Sequence, residues 1–345
     1  GHRNMAKLIV CALLLLACAS DAFIFQSGRF VLRGSPASRG SLAHRWPQTT
    51  RLRRPEQQSS SSLRMVVPDV GMVAAACILP PTFGLWRSEY TVSYGYGAAM
   101  FFSGLLFLLS GATPLGLAHA LVVCLYGFRL NAFLLYRELT IERFQKLVEK
   151  IEDKANAKGD RLSRLPFILG CAFLYFCMAA PLFVTSQAGS SLAPMLFTGL
   201  AYVGFAFAAV GDLVKTAVKA KEGDDALVTS GPFALVRHPN YSGEMLLWTA
   251  SLFAAIACAA IEGSLVTSAG WLLASVLGAI GINFVLVQAT TGLEKRQAEK
   301  YGDPANPEYA RYQEWVESSW KGVTFPPKPA ASSAEGSESK PEASP

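Results

Sequence analysis

The chain predicts an all-α, polytopic membrane helix bundle, and three observations carry that prediction. Its 345 residues are 51% hydrophobic and only 16% charged, whereas soluble domains carry roughly 25% charge. Apolar stretches recur at 66–84, 92–112, 115–136, 166–184, 192–213, 244–261 and 265–288, close to the roughly 20 residues that a bilayer-spanning helix needs. The connections alternate in charge. Segment 137–165 holds eight Lys/Arg, 212–240 adds Lys215, Lys219, Lys221 and Arg237, and Lys295, Arg296, Lys300 and Arg311 follow, while 111–114 and 185–191 hold no charge.

About seven spans place every basic connection and the C-terminus on one face, which the positive-inside rule puts in the cytosol or an equivalent compartment. The first stretch is the weakest, because Pro80-Pro81 interrupts it and Asp69 sits near its start; six spans is the alternative. Between spans, 137–161 alternates charge with Leu139, Ile141, Phe144, Leu147, Val148 and Ile151. That helical spacing predicts an amphipathic helix at the membrane surface.

The first 64 residues read as an address. Met5 is taken as the start, Lys7 as a minimal positive region, and Leu8–Ala17 as an apolar core too short to span a bilayer. Ser20-Asp21-Ala22 fits a cleavage site, giving a signal peptide over 1–22. Residues 23–64 contain eight Arg, no Lys and one acid, a transit-peptide composition. The string ASDAF at the junction resembles the bipartite plastid-targeting presequence of algae with secondary plastids. That resemblance implies a plastid membrane; the alternative is an ordinary secretory signal and the endoplasmic reticulum. Residues 65–326 form the bundle, and 327–345, rich in Ser, Ala, Pro and Glu, read as a disordered tail.

Charge and cysteine usage exclude several classes. Ten of the basic residues lie within the first 64 positions, leaving 21 basic and 23 acidic residues in the remainder, so nucleic-acid binding is not indicated. Five cysteines beyond the address, Cys77, Cys124, Cys171, Cys177 and Cys258, lie in apolar stretches without C-x-x-C spacing. They read as small buried hydrophobes. Only His119 and His238 remain beyond position 64, so no metal site is expected. No G-x-G-x-x-G or phosphate-binding Gly-Lys-Ser/Thr loop occurs either. A cofactor would have to bind between helix ends.

Four constellations fall on the basic face. The first is Arg237-His-Pro-Asn-Tyr-Ser-Gly-Glu244, five polar groups pinned between two apolar stretches, with Pro239 biasing His238 away from helix. The second is Arg129 with Asn131, inside an apolar stretch where a guanidinium is costly and is usually paired or functional. The third is Asp212, able to accept from ribose hydroxyls or to pair with Lys215. The fourth is Glu294, Lys295 and Arg296 followed by Tyr309 and Tyr312. Cationic forks suit phosphate, and tyrosines can flank a ring.

At these residues the chain resembles the DUF1295 and steroid 5-alpha-reductase C-terminal-like membrane proteins. RHPNYSGE at 237–244 after TSGPF at 229–233, LEKRQAEKYG at 293–302 with YARY at 309–312, GFRLNAFLLYRE at 127–138 and GDLVK at 211–215 carry the likeness. It spans roughly 115–326, with a reductase-like half over about 190–326. RHPNY alone is shared with sterol reductases and with isoprenylcysteine and phospholipid methyltransferases. Ala208 and Val214 depart from the pattern, where polar residues are common.

The resemblance implies an NADPH-dependent reductase of a C=C bond in a hydrophobic, isoprenoid or sterol-like lipid. Arg237, Lys295 and Arg296 would take phosphates, and Asp212 and Asn240 ribose or amide. His238, Glu294, Tyr309 and Tyr312 would complete the cofactor site, Arg129 and Asn131 would line the substrate pocket, and Tyr241 and Glu244 would stand at the reacting end. The alternative is an S-adenosylmethionine-dependent lipid or isoprenylcysteine methyltransferase, in which Glu294 holds the donor's amino-acid part. A non-catalytic membrane scaffold is the third. The expected partners are a lipid substrate and the membrane, without a protein partner.

Overall fold

The structure, a computed structural model, describes residues 68–157 and 159–320. The signal and transit-like segments and the tail from 327 lie outside them. Among the described residues there is no strand, only one isolated parallel bridge between Val236 and Trp320, so the bundle is all-α.

Six helices are long and apolar enough to cross a membrane: Ser88–Leu109, Pro114–Thr140, Arg161–Thr185, Leu192–Glu222, Pro239–Ile261 and Ala269–Tyr301. The seventh expected span is the shorter apolar segment Val70–Leu85. Asp69 caps its first helix, α1 (Val70–Ile78), by accepting from the Gly71 N–H at 2.6 Å. Pro80-Pro81 then opens a 3-10 turn, Pro80–Leu85, because proline supplies no donor to continue the α-helical ladder. Among the described residues the count is therefore six full spans, with one partial helix before them.

The spans are built from α2 (Tyr94–Leu109), α3 (Pro114–Thr140), α5 (Leu165–Ala179) with the one-turn α6 (Pro181–Thr185), α7 (Leu192–Glu222), α9 (Pro239–Ile261) and α10 (Ala269–Tyr301). Between α3 and α5 runs the expected surface helix, α4 (Glu142–Asn156). The one-turn α8 (Pro232–Leu235) precedes α9, and α11 (Tyr309–Ser318) follows α10. Pro114 and Pro239 each sit in the first turn of their helix, where a missing N–H costs nothing. Gly223, at φ 100°, ends α7.

Small residues bring the spans together, as expected where lipid offers no hydrophobic drive between helices. α7 and α9 meet through their backbones. A Cβ on Gly243 would lie 2.5 Å from the Ala208 nitrogen, and one on Gly204 would lie 2.6 Å from the Leu247 nitrogen. The apolar core gathers Met100, Phe107, Val123, Leu182 and Leu247. Leu196, Leu200 and Val203 on α7 and Leu273, Leu277, Ile280 and Phe284 on α10 are exposed at helical spacing, the apolar stripe that a lipid-facing helix shows.

α4 is anchored by charge. Arg164 donates to Glu152 Oε1 at 2.9 Å, to Asn156 Oδ1 at 2.8 Å and to the Gly84 carbonyl at 3.1 Å. Burial lifts the Glu152 carboxyl, but the bonds from Arg164 and from the Ser88 N–H outweigh it and hold the group below its ordinary range.

Candidate functional site

The basic-face ends of α3 and α7 meet the start of α9. α3 carries Tyr126, Arg129 and Arg137 inward, and α7 carries Asp212 and Lys215. Arg129 and Asp212 form an ion pair with both side chains largely buried. One guanidinium nitrogen of Arg129, Nη1, is buried without a partner. The charges of Arg129, Lys215 and Arg137, and the side chain of Asn240, all act on Asp212.

Arg129, Lys215 and Arg137 thus share Asp212, while Arg129 also faces Glu244 and Arg137 also faces Glu89. Arg137 lies over the rings of Phe144 (4.4 Å) and Phe133 (5.7 Å). Among the described residues neither Arg137 nor Lys215 has an ion-pair partner. Two cations without a direct ion pair, at the mouth of an apolar bundle, suit a phosphate.

Deeper in lies Glu244, one turn into α9 and buried. Arg129, Tyr126 and Asp212 are the groups that act on it. Beside it Tyr96, Tyr126 and Trp248 form an aromatic box, with Tyr96–Tyr126 centroids 5.6 Å apart, Tyr126–Trp248 5.2 Å and Tyr96–Trp248 6.4 Å. Tyr175 stacks on Tyr96 at 5.3 Å and gives its hydroxyl hydrogen to the Thr91 carbonyl. The polar atoms of the box lie near one another and near Glu244: the Tyr126 hydroxyl interacts with Glu244 and Tyr96, and the Tyr96 hydroxyl with Tyr126 and Trp248 Nε1, although none of these contacts reaches full hydrogen-bonding geometry. Unmet buried donors are uncommon, each costing about 1–3 kcal/mol, and call for an explanation.

The remaining site residues form a clamp. Arg237 Nε donates to Glu294 Oε1 at 3.0 Å, and its Nη1 donates to the Val316 and Ser319 carbonyls at 3.0 and 2.8 Å. His238 Nε2 meets the same Glu294 oxygen at 2.6 Å. The Arg237 N–H donates to the Trp320 carbonyl and the Trp320 N–H to that of Leu235. The end of α11 is thereby fixed to the start of α9. Tyr312 is buried with Leu227, Phe233, Tyr301 and Trp315. Burial raises its phenol above the ordinary value, Glu294 adding to the rise and Arg237 opposing it.

The structure brings Arg129, Asp212, Asn240, Tyr241 and Glu244 together. Arg237, His238, Glu294 and Tyr312 form the adjoining clamp, joined to them through the edge-on His238–Tyr241 contact at 6.4 Å. Tyr309 stands half-buried at the start of α11. Asn131 is placed to donate to the Tyr94 carbonyl at 3.3 Å and accept from the Ala98 N–H at 3.0 Å, which ties α3 to α2. Lys295 is exposed and faces Glu299 at 3.9 Å; Arg296 is exposed and bonds back to the Gly292 carbonyl, though its charge acts on Tyr241.

The two departures from the family pattern have packing causes. Ala208 lies in the α7–α9 backbone contact, and Val214 packs against the Leu227–Trp315 cluster. Sequence reasoning missed Arg137, Lys215, Tyr96, Tyr126 and Trp248. Tyr126 lies three residues before Arg129, and Trp248 four after Glu244; that shared helical face was the available signal for both. Among the described residues no three His, Cys, Asp or Glu gather as metal ligands.

Comparison with curated proteins finds no match, and none is found among solved structures. The family described as "Protein of unknown function (DUF1295)" matches residues 88–316, two thirds of the chain, including α3, α7, α9, α10 and most of α11, which hold the cation ring, Glu244 and the clamp. On that match the chain belongs to the DUF1295 family.

Proposed function

We propose that this protein is a membrane reductase that saturates a C=C bond conjugated to a carbonyl in a hydrophobic, isoprenoid or sterol-like lipid, with NADPH as reductant. The observation that carries this is the pairing of two features on one axis. Arg129, Arg137 and Lys215 stand around Asp212 at the mouth, and a carboxyl beside three donors held only at loose hydrogen-bonding geometry stands just inside it.

The residues present fit the cofactor. Arg137 and Lys215 are cations without a direct ion-pair partner among the described residues, and Asp212 and Asn240 offer polar contacts beside them. When bound, NADPH supplies the hydride; the protein must bind, orient and exclude water. Tyr96, Tyr126 and Trp248 donate to the substrate's oxygen and draw electron density from the conjugated bond. Glu244 and Tyr241 hold the proton that the second carbon receives.

The methyl-transfer reading fits less well. It asks Glu294 to hold an ammonium group, but Glu294 Oε1 already accepts from Arg237 and meets His238. A scaffold does not explain why the three buried donors are held short of full hydrogen-bonding geometry. The first 64 residues favour a plastid membrane, with the endoplasmic reticulum as the alternative.

The test is a pair of measurements on the purified protein in nanodiscs. NADPH should raise the unfolding temperature where S-adenosylmethionine does not, and conjugated enone lipids should then drive NADPH oxidation. Stabilisation by S-adenosylmethionine alone would overturn the reading.

A further inference from the structure

A second set of unpaired polar atoms lies deeper in the bundle, away from the basic face. His119, on α3, is 0% exposed. Its Nδ1 lies 2.9 Å from Thr185 Oγ1. The Thr185 hydroxyl donates its only hydrogen to the Pro181 carbonyl at 3.2 Å, so toward His119 it can only accept. Nδ1 therefore carries the ring hydrogen, and in the neutral ring Nε2 is a bare lone pair. That lone pair is buried without a partner.

Two hydroxyls lie at the same depth. Leu115 and Ala255 pack in one cluster. His119 is one turn inward from Leu115 on α3, and Ser251 one turn inward from Ala255 on α9. Thr198, on α7, is one turn from Tyr202, whose hydroxyl donates to the Ala118 carbonyl at 2.8 Å. Ser251 Oγ and Thr198 Oγ1 are likewise buried without partners. His119 and Tyr126 are seven residues apart on α3, so they share a face, about 10 Å apart along the axis.

The geometry points to His119 as a residue that determines specificity: its Nε2 accepts a hydrogen bond from a hydroxyl on the far end of the lipid. The ligand class is then an elongated apolar molecule with an acceptor oxygen at the Tyr96–Tyr126–Trp248 box and a hydroxyl about 10 Å away. This rests on the box as the holder of a substrate oxygen. A site built to bond a hydroxyl discriminates strongly against the analogue lacking it, because its own polar group is then left unpaired.

The test uses two probes, a conjugated ω-hydroxydecenone and the decenone without the hydroxyl, titrated against the full chain in nanodiscs by intrinsic tryptophan fluorescence. The wild type should bind the hydroxylated probe about ten-fold more tightly. His119→Leu should bring that ratio to about one while binding the plain decenone as the wild type does. Thr185→Val, which frees the tautomer, should lower the ratio with little change in packing, and it serves if His119→Leu does not fold. A wild-type ratio near one, failure of both probes to bind, or a ratio that persists in the foldable variant would overturn the assignment; a water held by His119 gives the first of these. If the ratio behaves as expected but NADPH does not bind, the redox reading falls and the hydroxyl site stands.

Discussion

The two halves of the Arg237–Glu244 stretch do different work, although they are contiguous in sequence. The first half faces the chain itself. Arg237 is engaged by Glu294 and two carbonyls near the end of α11, and His238 shares the same carboxylate. The second half faces the bundle interior. Asn240 acts on Asp212, and Glu244 lies beside donors that no contact satisfies at full hydrogen-bonding geometry. Well-bonded polar groups signal architecture and poorly bonded ones are where a ligand would fit, so on the proposed reading one motif both closes the fold and lines the site.

Arg237→Ala should cause the largest loss, and that loss should be structural. It leaves Glu294 and the Val316 and Ser319 carbonyls without their cation. Removing one partner of a buried charged network costs about 3–5 kcal/mol. The expected result is a lowered unfolding temperature and early proteolysis of 302–320, with ligand binding lost as a consequence. Native stability combined with selective loss of NADPH binding would erase the contrast between the halves and return Arg237 to the phosphates.

Glu244→Gln should do the opposite. The amide keeps the shape and the fold, so the unfolding temperature should stay close to the wild type's. Turnover should fall about a hundred-fold or more, the range for a lost acid–base group, with NADPH affinity nearly unchanged. Enone reduction at the wild-type rate would remove Glu244 from the chemistry.

The sequence made the architecture legible and left the site half-read, for a physical reason. Span positions follow from composition, because hydrocarbon permits little else, and every long span was visible. The partial first helix was foreshadowed by Pro80-Pro81. Polar residues in apolar stretches were equally visible, so Arg129, Asp212 and Glu244 could be singled out. Whether a cation points at a ligand or at the chain's own backbone depends on tertiary contacts. Arg237 could not be distinguished from a phosphate ligand until Val316 and Ser319, some eighty residues away, were placed beside it. Tyr126 and Trp248 look like ordinary core aromatics until their hydroxyl and indole N–H are seen gathered with Tyr96 beside Glu244.

Arg137 sharpens the comparison from the other side. It was visible only as a neighbour of Arg129, yet it acts on Asp212 and has no carboxylate partner among the described residues. Arg137→Gln should weaken NADPH binding about ten-fold and flatten its salt dependence, with stability close to the wild type's. An ion pair with phosphate is screened by added salt, so the affinity gap between variant and wild type should narrow as ionic strength rises. A gap independent of salt would mean that the residue packs on Phe144 and holds no anion.

Lys295→Ala should have the smallest effect, and its smallness is informative. By sequence Lys295 looks as good a phosphate ligand as Arg237, since both belong to the polar strings of the family pattern. In the fold its side chain is 80% exposed and meets only Glu299, at 3.9 Å. An exposed pair of this kind contributes about 0–1 kcal/mol. NADPH affinity and unfolding temperature should both stay within about two-fold and one degree of the wild type. A ten-fold loss of affinity would require Lys295 to swing inward on binding. The cation ring would then be completed by the ligand, and the resting geometry of the basic face would understate the site.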